Sequence, residues 1–242
     1  MELFSYLIGD HVLNAIDLTT KQVNYSPNFG PDYEASQRKM FDQTQAAPYF
    51  DRRVVENANF GTTIWDGGPV PEFLDGMIAR EPNLPLFVPF GDCPQLMFAG
   101  RQTVGLVHAT RDTIDKYILD IFADKFFKNE DPAETIVGFS PYIFSHNFSH
   151  EYLNLQREDE WRKAEVVYDQ NGKMHIDLRK MAVDDLLRIG VDLGNILDHR
   201  VNNYDLSEGS VRFGGVAVSH RHAHNTGAQE GRSGMMIMLL EQ

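Results

Sequence analysis

Apolar residues form several unbroken runs in the first half of the chain. Such runs occur at Leu84 to Phe90, Gln95 to Ala99 and Thr103 to Val107. They predict strands that are buried on both faces, because strands of that kind need no alternation of polar and apolar residues. Pro85 and Pro89 argue against a central place in the sheet for the first of these strands, since proline cannot donate a ladder hydrogen bond.

The apolar period then changes to three and four residues, which is typical of an amphipathic helix. This pattern predicts one helix, with the following residues on its apolar face: Ile114, Tyr117, Ile118, Ile121, Phe122, Phe126 and Phe127. A second helix is expected from Met181 to Ile189, where Gly190 supplies a C-terminal cap. Glu34 to Gln45 is a third helix candidate.

A hairpin is the most specific local prediction. Asn171-Gly172 lies between Glu165 to Tyr168 and Met174 to Ile176, and this dipeptide favours a two-residue turn between antiparallel strands. Further short strands are expected within residues 1–27, at Thr62 to Trp65, Thr135 to Phe139, Val211 to Ser219 and Met235 to Leu240. No Pro-rich or Ser-rich linker divides the chain, so we expect one α/β domain, residues 1–242, with a mixed sheet.

Composition and charge narrow the classes of partner. The chain has 242 residues, 35 acidic and 22 basic, and a net charge of −13. A polyanion would be repelled, so neither nucleic acid nor an anionic membrane is expected as a partner. No apolar stretch reaches membrane-spanning length, the N-terminus does not look like a signal peptide, and one cysteine excludes an internal disulfide. These features favour a cytoplasmic location.

Candidate chemistry centres on the single cysteine. Cys93 follows the first apolar run, and His108 ends the run from Thr103. Two adjacent strands would bring the thiol and the imidazole to one edge of a sheet, which suits either a metal site or an activated thiolate. The alternative is a buried structural cysteine. Asp92, next to Cys93, is expected to end the strand or to orient a histidine.

Two histidine groups are further metal candidates. If their segment is a strand, His220, His222 and His224 point to one side of it, and a His-x-His-x-His run can bind zinc or copper. The alternative is a polar loop, because Asn225-Thr226-Gly227 follows immediately. His146 and His150 would share one face if their segment were helical. Surface histidines are the alternative for this pair.

Several short stretches together resemble a known family. Gly91-Asp92-Cys93 is similar to its Ala-Asp-Cys motif, and Val104 to Ala109 resembles the strand that leads into His-Ala-Gly-Trp-Arg. The remaining matches are Asn28-Phe29-Gly30, Arg38, Ser140-Pro141-Tyr142-Ile143, Asp177-Leu178, Gly190-Val191, Ser219-His220-Arg221 and Gly231-Arg232. On these residues the chain resembles the YfiH-like laccase-domain family, long called multicopper polyphenol oxidases. Its members are regarded as zinc-dependent purine nucleoside phosphorylases.

The resemblance implies a fold and a set of site residues. The fold is a layered α/β structure with mixed sheets between helices. Catalytic roles fall on Cys93 and His108, which are also the expected zinc ligands. The residues expected to bind substrate or phosphate are Arg38, Arg111, Arg221 and Arg232.

The family's third zinc ligand is a histidine, and alignment through Gly61 puts Phe60 in its place. Thr110-Arg111-Asp112 also replaces Gly-Trp-Arg. His146 or His220 would have to replace the missing ligand, so weak or substoichiometric zinc is expected, because two protein ligands hold zinc poorly.

The resulting functional hypothesis is phosphorolysis of adenosine- or inosine-type purine nucleosides, with adenosine deamination as a further reaction. The expected partners are a purine nucleoside and phosphate. Two alternatives remain open. One is a metal-free Cys–His amidase or deamidase on the same scaffold, because a neighbouring imidazolium favours the thiolate. The other is a catalytically silent binding protein that has lost the zinc site.

Overall fold

The computed structural model describes residues 3–8, 12–17, 33–151, 154–198, 200–208, 216–217 and 219–241. Within these residues the helices are α1 (Tyr33–Phe41), α2 (Arg111–Asp115), α3 (Ile118–Phe126), α4 (Glu158–Lys163), α5 (Leu178–Arg188), α6 (Asn203–Glu208) and α7 (His220–Thr226). The first eight strands are β1 (Leu3–Ile8), β2 (Val12–Asp17), β3 (Val54–Val55), β4 (Ile64–Trp65), β5 (Gly76–Ala79), β6 (Leu86–Phe90), β7 (Gln95–Ala99) and β8 (Val104–His108). The later strands are β9 (Ile136–Phe139), β10 (Ser149–His150), β11 (Val167–Gln170), β12 (Lys173–Ile176), β13 (Ile196–Leu197), β14 (Val216–Ala217), β15 (Gln229–Glu230) and β16 (Ser233–Leu239).

Two large sheets pack face to face. One has the strand order β1-β2-β16-β6-β3, and the other has the order β13-β9-β7-β8-β5-β4. Val88 of β6 and Ile237 of β16 share an apolar cluster with Met97 of β7 and Leu106 of β8, so this cluster fills the space between the sheets. Both sheets combine parallel and antiparallel pairs. The expected α/β class with layered mixed sheets is confirmed.

Helices cover the outer faces of both sheets. Phe98 of β7 packs with Phe122 and Phe126 of α3 in a second cluster. On the other side, Met236 of β16 joins Phe41 of α1 in a third cluster. Each sheet is therefore buried on both faces, which explains the unbroken apolar runs of β6, β7 and β16.

The strand β6 is not at an edge, contrary to the expectation from its prolines. It lies between β16 and β3. The carbonyls of Pro85 and Phe87 accept hydrogen bonds from β3 and from Glu56. The backbone polar groups of alternate residues point to the same edge of a strand, so those of Pro89 point to the side of β3, as those of Pro85 and Phe87 do. The strand β3 has two residues, which pair with Leu86 and Phe87, and it does not extend to Pro89. The N–H that Pro89 lacks would therefore have no partner in β3.

The long amphipathic helix predicted after His108 is two helices. Tyr117 adopts a left-handed conformation, with φ of 61°, and separates α2 from α3. Apolar residues on both helices nevertheless pack into one cluster, so the period of three and four residues persists across the break.

Other local predictions agree with the structure. β11 and β12 pair antiparallel around Asn171 and Gly172, whose φ values are 53° and 74°, so the hairpin is confirmed. The helix α5 begins earlier than predicted, because the Asp177 side chain caps it by accepting from the Lys180 N–H. The Asn28-Phe29-Gly30 match and most of the strand expected from Val211 to Ser219 lie outside the described residues.

Candidate active site

Cys93 and His108 are neighbours at the end of two paired strands. β7 and β8 run antiparallel with Gln95 opposite His108, and Cys93 lies just before β7 in the turn that follows β6. The turn is fixed to β8 because the Ala109 N–H donates to the Pro94 carbonyl, at 3.0 Å. The Cys93 side chain is half-buried, and its thiol lies close enough to the His108 ring to contribute to the raised pKa of that imidazole. The fold thus brings the thiol and the imidazole together.

A carboxylate that sequence analysis missed completes a row of three groups. Glu56 Oε1 lies 2.8 Å from His108 Nδ1, and the two side chains are only 5% and 13% exposed. Glu56 directly follows β3, whose pairing with β6 places it there. The available signal was an acidic residue after two apolar ones, Val54 and Val55. That pattern is too common to single out a site.

This row sets the charge of the imidazole. Burial alone lowers the pKa of His108, but the Glu56 carboxylate and the hydrogen bonds to Cys93 and Glu56 outweigh burial and raise the pKa to about 10. His108 is therefore an imidazolium at neutral pH. Glu56 orients the ring through Nδ1, so the Nε2 proton is the one that Cys93 or a bound substrate can accept.

Phe60 lies against His108, with ring centroids 6.0 Å apart. Its φ is 60°, and 51% of the residue is exposed. Buried Asp75 holds the loop by accepting hydrogen bonds from the backbone N–H groups of Asn59, Gly61 and Thr63, at 3.2 to 3.3 Å. The residue aligned with the family's third ligand is thus next to His108.

A cavity of about 600 Å³ is lined by residues of α2, β10, β12 and the start of α7. Its charged and imidazole lining residues are Arg111, Lys173, Arg221, Asp112, Glu151 and His150. Asp112 is already paired with Arg111 through two contacts, at 2.8 and 3.1 Å. The Arg221 side chain forms no ion pair with any residue that the structure describes, and it lies over the Phe148 ring, at 5.5 Å. The cavity therefore offers an uncompensated guanidinium.

The cavity is tied to the turn that carries the thiol. The Arg221 N–H donates to Asp92 Oδ2, at 2.9 Å, and Asp92 is the chain neighbour of Cys93. Arg111 begins α2, three residues after His108. Burial raises the pKa of Asp92, although hydrogen bonds from Ser219 and from the Arg221 backbone oppose the shift. Asp92 thus joins the Cys93 turn to the start of α7.

The histidine pair of the middle segment is not on a helix. His146 lies in a 3₁₀ turn (Ser145–Asn147), with its ring edge-on to Phe144, whereas His150 lies in β10. Of the two, His150 lines the cavity. Burial, then the charges of Arg111 and Arg221, lower the pKa of His150 to about 4, so this ring is neutral at pH 7.

The histidine run near the C-terminus is helical, unlike the pair His146 and His150, so the arrangement expected for a strand is wrong. His220, His222 and His224 belong to α7, which Ser219 caps. His220 pairs with Glu230, at 2.9 Å, while His222 is buried against Tyr204. In the helix, His220 and His224 lie four residues apart on one face, with ring centroids 6.5 Å apart, while His222 points in a different direction, so the three rings do not converge.

Two of the four predicted arginines do not line the cavity. Arg38 pairs with Asp51, at 3.0 Å, and lies over the Phe50 ring on the outer layer of α1. Arg232 pairs with Glu230 and acts on Asp92 only through its charge. Arg111 and Arg221 are the two that the fold brings to the cavity, together with Lys173, which was not foreseen, and His150, which was expected only as a metal candidate. The binding roles of all four arginines stay predictions.

Residues 20–240 match the family model described as multi-copper polyphenol oxidoreductase laccase. The chain belongs to this family. No curated protein sequence matches it significantly. The laccase-family member is similar in structure to three solved proteins, each under 20% identical. For the hypothetical protein YfiH of Bacillus licheniformis, the TM-score is 0.72, with 19% identity over 95% of this chain and 93% of that one.

The other two structures have similar scores. Protein NMB0706 of Neisseria meningitidis gives a TM-score of 0.75 and 18% identity, and 99% of each chain is covered. YlmD of Geobacillus stearothermophilus gives 0.73 and 18%, over 99% of this chain and 91% of that one. At these identities the likeness shows the shared fold. None of the described helices of the laccase-family chain is long and apolar enough to cross a membrane.

Within the described residues, the donor set of this laccase-family member does not complete a metal site. In the described part of the chain, no three His, Cys, Asp or Glu side chains converge as metal ligands would. Cys93 and His108 are in place, but His108 Nδ1 is bonded to Glu56, and the third position carries the hydrocarbon ring of Phe60. A zinc or copper site needs at least one more donor.

Proposed function

We propose that this chain is an enzyme that splits purine nucleosides of the adenosine or inosine type with phosphate. The observation that carries the proposal is the cavity lined by three cations, which is linked to the Cys93 turn through the Arg221–Asp92 hydrogen bond and to His108 through the start of α2. Arg111, Arg221 and Lys173 supply three cations, and guanidinium groups match the oxygens of phosphate well. The chain as a whole carries a net charge of −13, so a cluster of positive side chains at one cavity is a stronger indication of an anion-binding site.

In the proposed reaction a phosphate oxygen bonds to the anomeric carbon of the ribose while the bond to the base nitrogen breaks. The electron pair of that bond leaves with the base, and the His108 imidazolium donates a proton to it. The proton that phosphate loses restores His108, so charge and protons balance. Glu56 stabilises the imidazolium before transfer, and the arginines hold the attacking anion.

Purified protein incubated with inosine or adenosine and phosphate is expected to release free base and ribose 1-phosphate, which chromatography detects. Replacing Arg221 by methionine should raise the KM for phosphate about 10- to 100-fold, the effect of losing a charge-assisted contact. Arg101→Met is the matched control, because the Arg101 side chain is 79% exposed and pairs with Glu134. Absence of free base at high enzyme concentration would sink the proposal; inosine formed from adenosine without phosphate would indicate deamination instead.

We also infer that the protein, when it is purified without a histidine tag, holds less than one zinc ion per chain. Only Cys93 and His108 of the family's three ligands remain, and two protein ligands hold zinc poorly. His146 and His220, the candidates for a replacement, make other contacts, His146 with Phe144 and His220 with Glu230.

A second candidate function is favoured by the Glu56–His108–Cys93 row. A carboxylate that orients an imidazole, which in turn contacts a thiol, is the arrangement of a thiol-dependent amidase or deamidase. The sulfur would attack an amide carbon, and the imidazolium would protonate the departing amine. Water would then hydrolyse the thioester and release the carboxylate.

Iodoacetamide labelling separates the two candidates, since Cys93 is the single cysteine of the chain. If Cys93 is a nucleophile, it is expected to label at neutral pH about 10-fold faster than free cysteine, because a cationic neighbour favours the thiolate. Glu56→Gln should slow the labelling, since it removes the group that stabilises the imidazolium. A rate no faster than that of free cysteine argues against the thiol mechanism. Cys93→Ser then distinguishes the candidates again, because phosphorolysis survives this change and thioester chemistry does not.

A further inference from the structure

Phe60 combines three properties that rarely occur together. Its ring is half exposed although it lies against the buried imidazole of His108, at 6.0 Å between ring centroids and 52° between ring planes. Its backbone has a positive φ, of 60°, which bulky residues seldom adopt. Residues in such conformations cluster at binding and active sites.

The protein fixes this conformation from both sides. Asp75 accepts hydrogen bonds from the N–H groups of Asn59 and Gly61, which flank Phe60. Lys116 Nζ donates to the Phe60 carbonyl, at 2.8 Å. Phe60 is thus presented by a backbone that is held at three points, and 51% of the residue is exposed.

We infer that Phe60 is a stacking surface for the planar base of the substrate, placed beside the proton donor His108. The inference rests on the proposed function and names the residue that selects the base. Flat aromatic groups pack against an aromatic ring in offset or edge arrangements, and a base stacked on Phe60 lies within the neighbourhood of His108.

The first arm of the experiment measures binding without turnover. Phe60→Trp keeps a flat ring and adds a fluorophore at the site, while the native Trp65 and Trp161 are buried. Inosine and hypoxanthine, added without phosphate, are expected to quench the added emission, and ribose is expected to leave it unchanged. No quenching by either purine compound would overturn the inference.

The second arm measures kinetics. Phe60→Ala removes the ring but keeps the Cβ, so the strain at the positive φ is unchanged. The KM for inosine is expected to rise about 10-fold, as loss of one stacking contact does, while the KM for phosphate stays the same. Phe60→Trp should restore the KM. Phe73→Ala is the matched control, since Phe73 is another exposed phenylalanine of the same region.

The outcomes of the two arms are distinguishable. Quenching without any phosphorolysis keeps the stacking inference and removes the proposed function. Phosphorolysis with an unchanged KM for inosine in Phe60→Ala removes the inference and keeps the function. If Phe60→Ala instead lowers the molecular mass in light scattering and leaves the KM unchanged, the ring is a contact between copies of the chain, and the inference is wrong.

Discussion

Replacing Asp75 by alanine is expected to lower the free energy of unfolding by about 2–4 kcal/mol. The fully buried carboxylate accepts three backbone N–H groups, from Asn59, Gly61 and Thr63. Each hydrogen bond to a charged group contributes about 1.5–3 kcal/mol. Because the loop is largely exposed, the freed N–H groups recover part of this from water. Urea unfolding, followed by circular dichroism, measures the loss.

Two variants serve as comparisons for Asp75→Ala. Asp75→Asn keeps an acceptor oxygen but loses the charge, so a smaller loss of about 1–2 kcal/mol is expected. Asp124→Ala removes an exposed carboxylate of α3 and should change stability by less than about 0.5 kcal/mol. Amide hydrogen exchange at Asn59 to Thr63 should accelerate in Asp75→Ala. A loss no larger than that of the α3 control would contradict the role assigned to Asp75.

Phe60→His is expected to raise the zinc content from below one to one per chain. The change adds a third donor next to Cys93 and His108 on the same backbone, and three protein ligands are what a catalytic zinc site requires. Glu56 already orients His108 as an outer carboxylate does in zinc proteins. Zinc affinity should increase at least about 10-fold, and elemental analysis of protein purified without a histidine tag measures the stoichiometry.

The controls for zinc use the same site. Phe60→Ala removes the ring without adding a donor and should leave the zinc content low. Cys93→Ser in the Phe60→His background should abolish the gain. If Phe60→His folds and its zinc affinity equals that of the native chain, the alignment through Gly61 is wrong. If the native chain binds one zinc ion per chain, alanine variants of His146 and His220 will show which residue supplies the third protein–zinc bond.

The histidine groups show where pattern alone misleads. The run from His220 to His224 fits a strand by spacing, yet Ser219 supplies a helix cap and the segment is α7. His146 and His150 have helical spacing, yet they lie in a turn and a strand. In both places the residues are polar, so no apolar period exists to decide between helix and strand. The Phe41 side of α1 and the apolar residues of α3 were predictable because their period is set by a buried face.

The sequence by itself determined the class of the fold and the buried strands, and it offered the proximity of Cys93 to His108 as one interpretation beside that of a buried structural cysteine. These follow from the apolar period and from the adjacency of consecutive strands, both of which are local properties. Tertiary structure alone decided that Glu56 contacts His108, that Asp75 holds the Phe60 loop, and that Arg111 and Arg221 share one cavity. Those contacts join residues from strands, loops and helices far apart in the chain. Whether these residues touch depends on how the sheets and helices pack on one another, and residue spacing along the sequence does not encode the distance between packed layers.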